Sequence, residues 1–403
     1  MKEVSVDIAA FEDSPTGFLE KYTGVDGREC CAYVPHPLPA EISKLNLSDT
    51  ALCLIADAAR AFGEVNGMAK TLLLMLPDLD IELILKPQLR REAVASTRIE
   101  GTRISDTEVQ QYEVEEPPEE KRIDYQEVQN YIAALEHGLQ LLDSGLPLCV
   151  RLVREIHGRL MEGLPQERRD GNPGNFRDKQ VVIGGPGATA ETARFVPPPP
   201  GKVEDLMHGW ETFLNEPNAL PPLVQCALMH YQFETIHPFT DGNGRVGRLL
   251  IKLFFYERQL LNYPLLHLSG FLERHRREYY DSLLAVSRDG DWEGWIRFFM
   301  QGVIEQSEES LGTIRRVIKA RETYRRQLEE AGAARSALRL LDLLFAQQTV
   351  TARYVEKQLG VSFPTAQSAI EFLVEQGILI TTTPERRRNR IYRAPRLLDS
   401  FEE

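Results

Sequence analysis

Residues 237–248 gather more reactive and charged groups than any other stretch of the chain. Their sequence is His237-Pro238-Phe239-Thr240-Asp241-Gly242-Asn243-Gly244-Arg245-Val246-Gly247-Arg248. The segment before them, 224–236, has the apolar spacing of a helix, and so has the segment 248–261 after them. Pro238 ends the first helix, and the glycines lie where the second is expected to begin. The sequence therefore predicts a helix–loop–helix here, and similar patterns elsewhere predict a mainly α fold.

The loop of this stretch has the composition of an anion site. Gly242, Asn243 and Gly244 let backbone N–H groups converge at a helix N-terminus, where the helix dipole favours negative charge. Arg245 and Arg248 lie three positions apart and therefore share one helix face. Two guanidinium groups beside such a loop favour a polyphosphate.

Asp241 and His237 add groups that could act on a bound polyphosphate. Asp241 supplies a hard oxygen ligand suited to Mg²⁺, and His237 could accept a proton from an incoming hydroxyl. Residues 242–247 also match G-x-G-x-x-G, but that dinucleotide fingerprint requires a preceding strand, and the preceding pattern is helical. A glycine-rich turn with a chance histidine would not explain the aspartate, the asparagine and both arginines together.

The stretch resembles the signature of the Fic family, H-P-F-x-D/E-G-N-G-R-x-x-R, and meets every fixed position. The resemblance implies an all-helical core with a β-hairpin flap. It also implies transfer of AMP from ATP to a Tyr, Ser or Thr hydroxyl of a target protein, with release of pyrophosphate. The intact signature favours AMP transfer over the phosphocholine or phosphate transfer of divergent members.

The resemblance implies a role for most positions of the stretch. His237 resembles the general base, Phe239 the buried anchor of the loop, and Asp241 the Mg²⁺ ligand. Arg245 resembles the β-phosphate clamp and Arg248 the γ-phosphate clamp. The nucleotide contacts expected from this resemblance are Gly242, Asn243, Gly244, Arg245, Val246, Gly247 and Arg248.

Residues 96–101 resemble the family's inhibitory motif, S/T-x-x-x-E-G/N, with Ser96, Glu100 and Gly101 at its fixed positions. The resemblance implies that Glu100 pairs with Arg248 and takes the guanidinium that the γ-phosphate requires, as in the class with an N-terminal inhibitory helix. A carboxylate–arginine pair is well suited to such competition. The alternative is an ordinary helix-end glutamate followed by a glycine stop. Whether Glu100 also positions water for AMP removal stays open.

A short β-branched run inside the helical pattern predicts a hairpin within 171–187. This segment resembles the family's flap beside the active site. An exposed strand there could bind a target segment by main-chain pairing, while a hairpin that only covers the core is the alternative. The expected docking residues are Lys179, Val181, Val182 and Ile183. Arg274, beyond the stretch, is a further candidate for contact with the nucleotide.

The C-terminal residues 333–403 have the element order of a winged helix. Three helices and two strands are expected at 336–347, 351–359, 364–376, 378–382 and 389–393. The turn between the strands carries four arginines that could reach phosphates, namely Arg386, Arg387, Arg388 and Arg390. The third helix lacks a basic face, so DNA binding and a protein-contact or dimerisation role both stay open.

The chain divides into three expected units: an N-terminal arm and helical region at 1–110, a catalytic unit at 111–332 and the C-terminal unit. Prolines and glycines predict an irregular arm over roughly the first 47 residues. A DNA-binding regulator that senses nucleotide and rarely turns it over is the alternative to the enzyme. Self-modification and a homodimer are open.

Bulk composition limits the classes of protein that fit. The net charge of −13 argues against a protein that coats nucleic acid or membrane along its whole length. The five cysteines are scattered, which favours reduced thiols. The first residues lack the pattern of an export signal, and the apolar runs are too short to cross a bilayer. These features predict a cytoplasmic protein without membrane contact.

Overall fold

The protein is described by a computed structural model at residues 8–24, 27–75, 81–165, 172–185, 187–386 and 388–397. Gly171 and Arg387, which belong to the predicted flap and the predicted basic turn, lie outside these ranges.

The fold is mainly helical, as predicted. The helices are α1 Asp49–Met75, α2 Glu82–Ile99, α3 Asp106–Tyr112, α4 Glu119–Asp143, α5 Val150–Leu160, α6 Val203–Asn215, α7 Pro222–Ile236, α8 Asn243–Glu257, α9 Leu268–Arg274, α10 Arg276–Asp289, α11 Trp292–Glu330, α12 Arg335–Ala346, α13 Ala352–Leu359 and α14 Phe363–Glu375. The strands are β1 Gly17–Thr23, β2 Glu29–Pro35, β3 Thr349–Val350, β4 Ile380–Thr381 and β5 Tyr392–Arg393.

Helix α7 lies at the centre of the helical core, and nearly all its side chains are buried. Trp210 of α6 donates its indole N–H to the carbonyl of Met229, at 3.1 Å, and Trp295 of α11 donates to Ala227, at 2.9 Å. Buried indoles satisfied in this way combine large apolar area with a fixed orientation. The two tryptophans therefore hold α7 from two directions, and α7 carries His237 at its end.

The N-terminal arm is not irregular as predicted, because β1 and β2 form an antiparallel hairpin from Gly17↔Pro35 to Thr23↔Glu29. Tyr33 and Val34 of β2 are buried, Leu19 and Tyr22 of β1 pack partly against small apolar clusters, and this packing outweighs the prolines and glycines on which the prediction rested. Tyr33 packs on Phe195 with ring centroids 5.6 Å apart, and its N–H donates to the carbonyl of Val196 at 2.9 Å. The hairpin thus closes over the end of the flap segment.

The predicted flap hairpin is displaced along the chain. Ile183 pairs with Phe195 in an isolated antiparallel bridge, and 179–182 are not in a strand. The side chain of Gln180 donates to the carbonyl of Pro197 at 2.8 Å. Side chains therefore satisfy backbone groups that a strand ladder would otherwise pair. The bridged residues enclose positions 184–194 of the chain, so the pairing extends past the predicted 171–187.

The C-terminal unit contains α12, α13 and α14 with a small antiparallel sheet of strand order β3-β5-β4. Thr349 and Ile380 both align with Arg393 of the central strand. This order is consistent with the predicted winged helix. Strand β3 was not predicted, because two residues carry no readable alternation.

The cysteines and the apolar runs can also be compared with the predictions made from composition. All five cysteines are free thiols. Among the described residues, every helix is either too short or too polar to cross a lipid bilayer.

Candidate active site

His237 terminates α7 with a left-handed backbone, at φ 51° and ψ 61°. The following proline disfavours right-handed helix at this position, so the helix must stop here. The imidazole Nδ1 lies 3.2 Å from the carbonyl of Glu234, which can only accept. Nδ1 therefore carries the hydrogen, and Nε2 is left as the acceptor. Burial, and next the charge of Arg177, lower the pKa of His237 to about 4, so the ring is neutral at physiological pH.

The loop after His237 is braced from inside by Phe239, which is fully buried. The side chain of Asn243 accepts from the N–H of Phe239 and donates to its carbonyl, both at 2.8 Å. The Asn243 side chain, predicted to contact phosphate, thus serves the loop backbone. His157 of α5 stacks on Phe239 at 3.7 Å between centroids and was missed by the sequence analysis.

Helix α8 begins at Asn243 rather than at Arg248, so the signature supplies its first turns. Gly242 has φ 79°, and a Cβ there would lie 2.1 Å from Cε of Met161. Only glycine fits this left-handed, crowded position. The first N–H groups of a helix lack intrahelical acceptors and attract anions. The structure therefore sets the start of α8 where the sequence predicts a phosphate site.

Arg248 is held by the inhibitory motif, and its side chain is 1% exposed. Its Nε donates to Oγ of Ser96 at 2.8 Å, and Nη2 donates to the carbonyl of Ser96 at 2.9 Å and to Oε1 of Glu100 at 2.6 Å. Burial alone would raise the pKa of Glu100, but Arg248 outweighs it and the pKa is lowered. The predicted pair is present, with both groups charged.

Two glycines of the motifs make room for this ion pair. Gly101 follows the C-cap Glu100 with φ 105°, and it lets the chain leave α2. A Cβ at Gly244 would lie 2.3 Å from Oε1 of Glu100. The carboxylate therefore sits directly over the backbone of the first turn of α8. The carboxylate of Glu100 is therefore next to the predicted phosphate site.

Arg245 is 3% exposed and faces two carboxylates at longer range. Its Nη1 lies 3.5 Å from Oε1 of Glu127, and its Nη2 lies 3.5 Å from Oδ2 of Asp241. Within the described part of the chain, its Nε and Nη1 have no hydrogen-bond acceptor. A buried guanidinium with unused donors is a site in which a further anion would be stabilised.

Asp241 is the candidate metal ligand, and about half of its side chain is exposed. Its Oδ1 accepts from the N–H of Gly242 at 2.6 Å. Mg²⁺ is usually held by one or two carboxylates together with substrate phosphates and water. Among the described residues no cluster of three or more metal-ligating side chains occurs. A single accessible carboxylate beside an anion site fits Mg²⁺ brought with a nucleotide.

The remaining predicted residues have contacts of their own. Arg274 forms ion pairs with Glu305 and Glu309 of α11, so its guanidinium is engaged there. Lys179 is exposed, and Val181 is half-buried. Val182 and Ile183 pack partly against small apolar clusters beneath the flap segment. A core-covering role therefore accounts for half of the four predicted docking residues.

Comparison with known proteins agrees with this geometry. Residues 147–255 match the model of the Fic/DOC family, and residues 52–140 match that of the Fic/DOC family N-terminal region. The chain carries a Fic/DOC domain preceded by a Fic/DOC N-terminal region. A crystal structure of a Fic family protein from Desulfovibrio desulfuricans has the same fold, with a TM-score of 0.55 and 22% identity over 90% of this chain and 98% of that one.

Two sequence relatives of this Fic protein are both named protein adenylyltransferase Fic. The one from Aedes aegypti is 33% identical over 183 residues, and the one from Drosophila grimshawi is 31% identical over 182 residues. The similarity covers 44% of this chain and 32% and 33% of the two relatives. About two thirds of each relative therefore lies outside the region of similarity.

Proposed function

We propose that this Fic protein is a protein adenylyltransferase, which transfers AMP from ATP to a hydroxyl group of a target protein and releases pyrophosphate. The single observation that carries the proposal is the neutral His237, whose Nδ1 lies against the carbonyl of Glu234 and whose Nε2 is left as a proton acceptor, in the loop that leads into α8. The names of the relatives support the same activity. The complete signature favours an enzyme that catalyses transfer rather than a protein that only senses nucleotide. A sensor would not need a general base such as His237.

The proposed reaction uses the base, the phosphate-binding groups and the carboxylate of the signature. Nε2 of His237 takes the proton as the target hydroxyl oxygen bonds to the α-phosphorus, and the bond from that phosphorus to pyrophosphate breaks. The start of α8, Arg245 and Arg248 would hold the phosphates. Asp241 would hold Mg²⁺, which neutralises charge on the phosphates when bound.

Autoinhibition is part of the proposal. Glu100 occupies Arg248 and covers Gly244, so a nucleotide must displace the carboxylate to use the guanidinium. The pair is partly accessible, because the Glu100 side chain is 35% exposed. Such a pair can open without unfolding its surroundings.

A labelled-ATP transfer assay tests both parts. Glu100→Gly is expected to raise transfer to protein by about tenfold or more, since it removes the competing charge. Glu100→Gly combined with His237→Ala is expected to lose transfer while it still binds ATP. Equal rates in the parent and in Glu100→Gly would contradict the inhibition, and transfer by the double variant would contradict the assignment of the base.

The acceptor is proposed to be a Tyr, Ser or Thr hydroxyl, and self-modification is included. Incubation of Glu100→Gly with lysate and labelled ATP, followed by mass spectrometry, would identify the modified residues. AMP removal would appear as loss of label from a purified product when ATP is withdrawn. A homodimer would appear in light scattering of the purified chain.

Contact of the C-terminal unit with DNA is a second proposal, which two arginines favour. Arg388 and Arg390 are exposed in the turn before β5. Arg386, in contrast, pairs with Glu115 at 2.6 Å, so its charge is already partly compensated within the chain. A salt-sensitive mobility shift with random duplex DNA would support the contact, and no shift at low salt would favour a protein partner.

A further inference from the structure

Arg177 is a buried arginine, 4% exposed, and every hydrogen bond that its guanidinium makes to the described residues goes to a main-chain carbonyl. Nε donates to His237 at 2.9 Å, and Nη1 donates to Lys179 at 3.2 Å. Nη2 donates to Pro198 at 2.6 Å and to Ile236 at 3.4 Å. The planar fork of arginine makes several such bonds in fixed directions.

These contacts join the catalytic loop to the flap segment. Two of the carbonyls belong to Ile236 and His237, at the end of α7, and the backbone N–H of Arg177 donates to the next carbonyl, that of Pro238, at 2.9 Å. The other two carbonyls, of Lys179 and Pro198, lie on the two sides of the flap turn. Because His237 has a left-handed backbone, its peptide orientation must be held by its surroundings.

The charge of Arg177 is not neutralised locally. Within the described residues, no carboxylate lies within salt-bridge distance of its guanidinium. Burial lowers its pKa to about 10, a change that Tyr22 opposes, so the group is still cationic at neutral pH. A buried charge without a counter-ion is costly, and its retention beside a base suggests a use for the charge.

We propose that Arg177 is a positioning residue for the general base, with two effects on His237. Its fork fixes the peptide groups on both sides of the imidazole, and its uncompensated positive charge disfavours a protonated ring. The charged groups that face His237 are Arg177 from the flap segment and Glu100 from α2, while the carbonyl of Glu234 on α7 accepts from Nδ1. Of these three groups, only Arg177 lowers the pKa of His237 and so favours the neutral ring.

The rate part of this inference rests on the proposed adenylyl transfer, so the test has one arm that needs no activity. NMR titration of isotope-labelled histidine, assigned with a His237→Ala sample, gives the pKa of His237 directly. All variants are made in the Glu100→Gly protein, whose own transfer activity reports whether the proposed function holds. Failure of that activity would therefore be seen separately from failure of the Arg177 inference.

Two substitutions separate charge from hydrogen bonding. Arg177→Gln removes the charge, and the pKa of His237 is expected to rise by about one unit. The transfer rate falls at low pH as His237 becomes protonated, and this fall should move to higher pH by the same amount. At pH values below the pKa the transfer rate should therefore be roughly tenfold lower than in the parent. Arg177→Lys keeps the charge but not the fork, so the pKa should stay low while kcat falls by about tenfold.

The outcomes decide the inference. A raised pKa in Arg177→Gln together with an unchanged pKa in Arg177→Lys supports it. An unchanged pKa in a folded Arg177→Gln protein, or the same rise in both variants, overturns it. If Arg177→Gln does not fold, Arg177→Lys decides: a low pKa with reduced kcat supports the inference, and a raised pKa or an unchanged kcat overturns it.

Discussion

Glu234 stands three residues before His237, and its carboxyl lies against the backbone of α8. A Cβ at Gly247 would lie 2.1 Å from Oε1 of Glu234, so a larger residue there would force this carboxyl to shift. Among the described residues, this oxygen has no hydrogen-bond donor. Burial, with Glu100 adding to it and Arg248 opposing it, raises the pKa of Glu234 to about 8. The residue is therefore a neutral acid near neutral pH.

The raised pKa of Glu234 predicts that stability depends on pH. The carboxyl titrates near 4.5 when unfolded and near 8 when folded, so its contribution is full below the lower value and is lost as pH rises to the higher one. Glu234→Gln, which is neutral at all pH values, should therefore gain about 1 kcal/mol or more over the parent above pH 8.

Urea unfolding of the parent and of Glu234→Gln at several pH values measures this difference. The exposed Glu216→Gln is a matched control, because it makes the same chemical change on the surface. A stability difference that does not change with pH for Glu234→Gln would contradict the neutral state of the buried carboxyl.

The chemistry of individual residues was predictable where a short pattern carries it. Glu100 and Arg248 are far apart in sequence, yet each belongs to a recognisable motif, and their pairing was predicted and observed. Arg177 and Glu234 belong to the same centre and were not assigned roles. Their properties come from burial and from long-range packing, which leave no local pattern.

At the scale of elements, α5 braces the catalytic loop through His157. The N–H of Gly174 donates to Nδ1 of His157 at 2.9 Å, so Nε2 carries the hydrogen and donates to the carbonyl of Asp241 at 3.1 Å. The ring also stacks on Phe239 with an interplanar angle of 3°. One side chain thus combines a packing contact with two hydrogen bonds.

Substitutions of His157 should rank by which contacts they keep. His157→Phe keeps the stack and loses both hydrogen bonds, which should cost about 1–3 kcal/mol. His157→Ala loses the stack as well and should cost more, about 3–5 kcal/mol. Urea unfolding measures both values. Equal losses would mean that the stack on Phe239 contributes nothing to the stability of the loop.

The helices were predicted better than the strands, for a physical reason. Long amphipathic patterns fix a helix over many residues, and the error lies at its ends: α8 begins at Asn243, whereas the apolar pattern begins at Arg248. β1 and β2 are stabilised by each other and by Phe195, far along the chain. Their pairing depends on contacts that a linear pattern does not contain.

At the scale of the whole molecule, the C-terminal unit is attached directly to α2, the helix of the proposed inhibitory motif. Arg90 of α2 is buried, and its Nε donates to Asp106 at 2.7 Å. Its Nη1 donates to the side chain of Gln347 and its Nη2 to that of Gln348, both at 3.2 Å. These glutamines lie between α12 and β3. One arginine of the helix that ends in Glu100 therefore binds the C-terminal unit.

Loss of this attachment should weaken inhibition. Arg90→Met keeps much of the side-chain volume but removes the hydrogen bonds that Arg90 makes to the C-terminal unit, so α2 should hold Glu100 on Arg248 less firmly. Transfer activity is expected to rise roughly fivefold with Glu100 present, and not to rise in the Glu100→Gly protein, where nothing is left to release. Arg335→Met, at an exposed arginine of α12, serves as the control. An equal rise with and without Glu100 would mean that Arg90 affects catalysis itself and that the C-terminal unit does not act through the inhibitory helix.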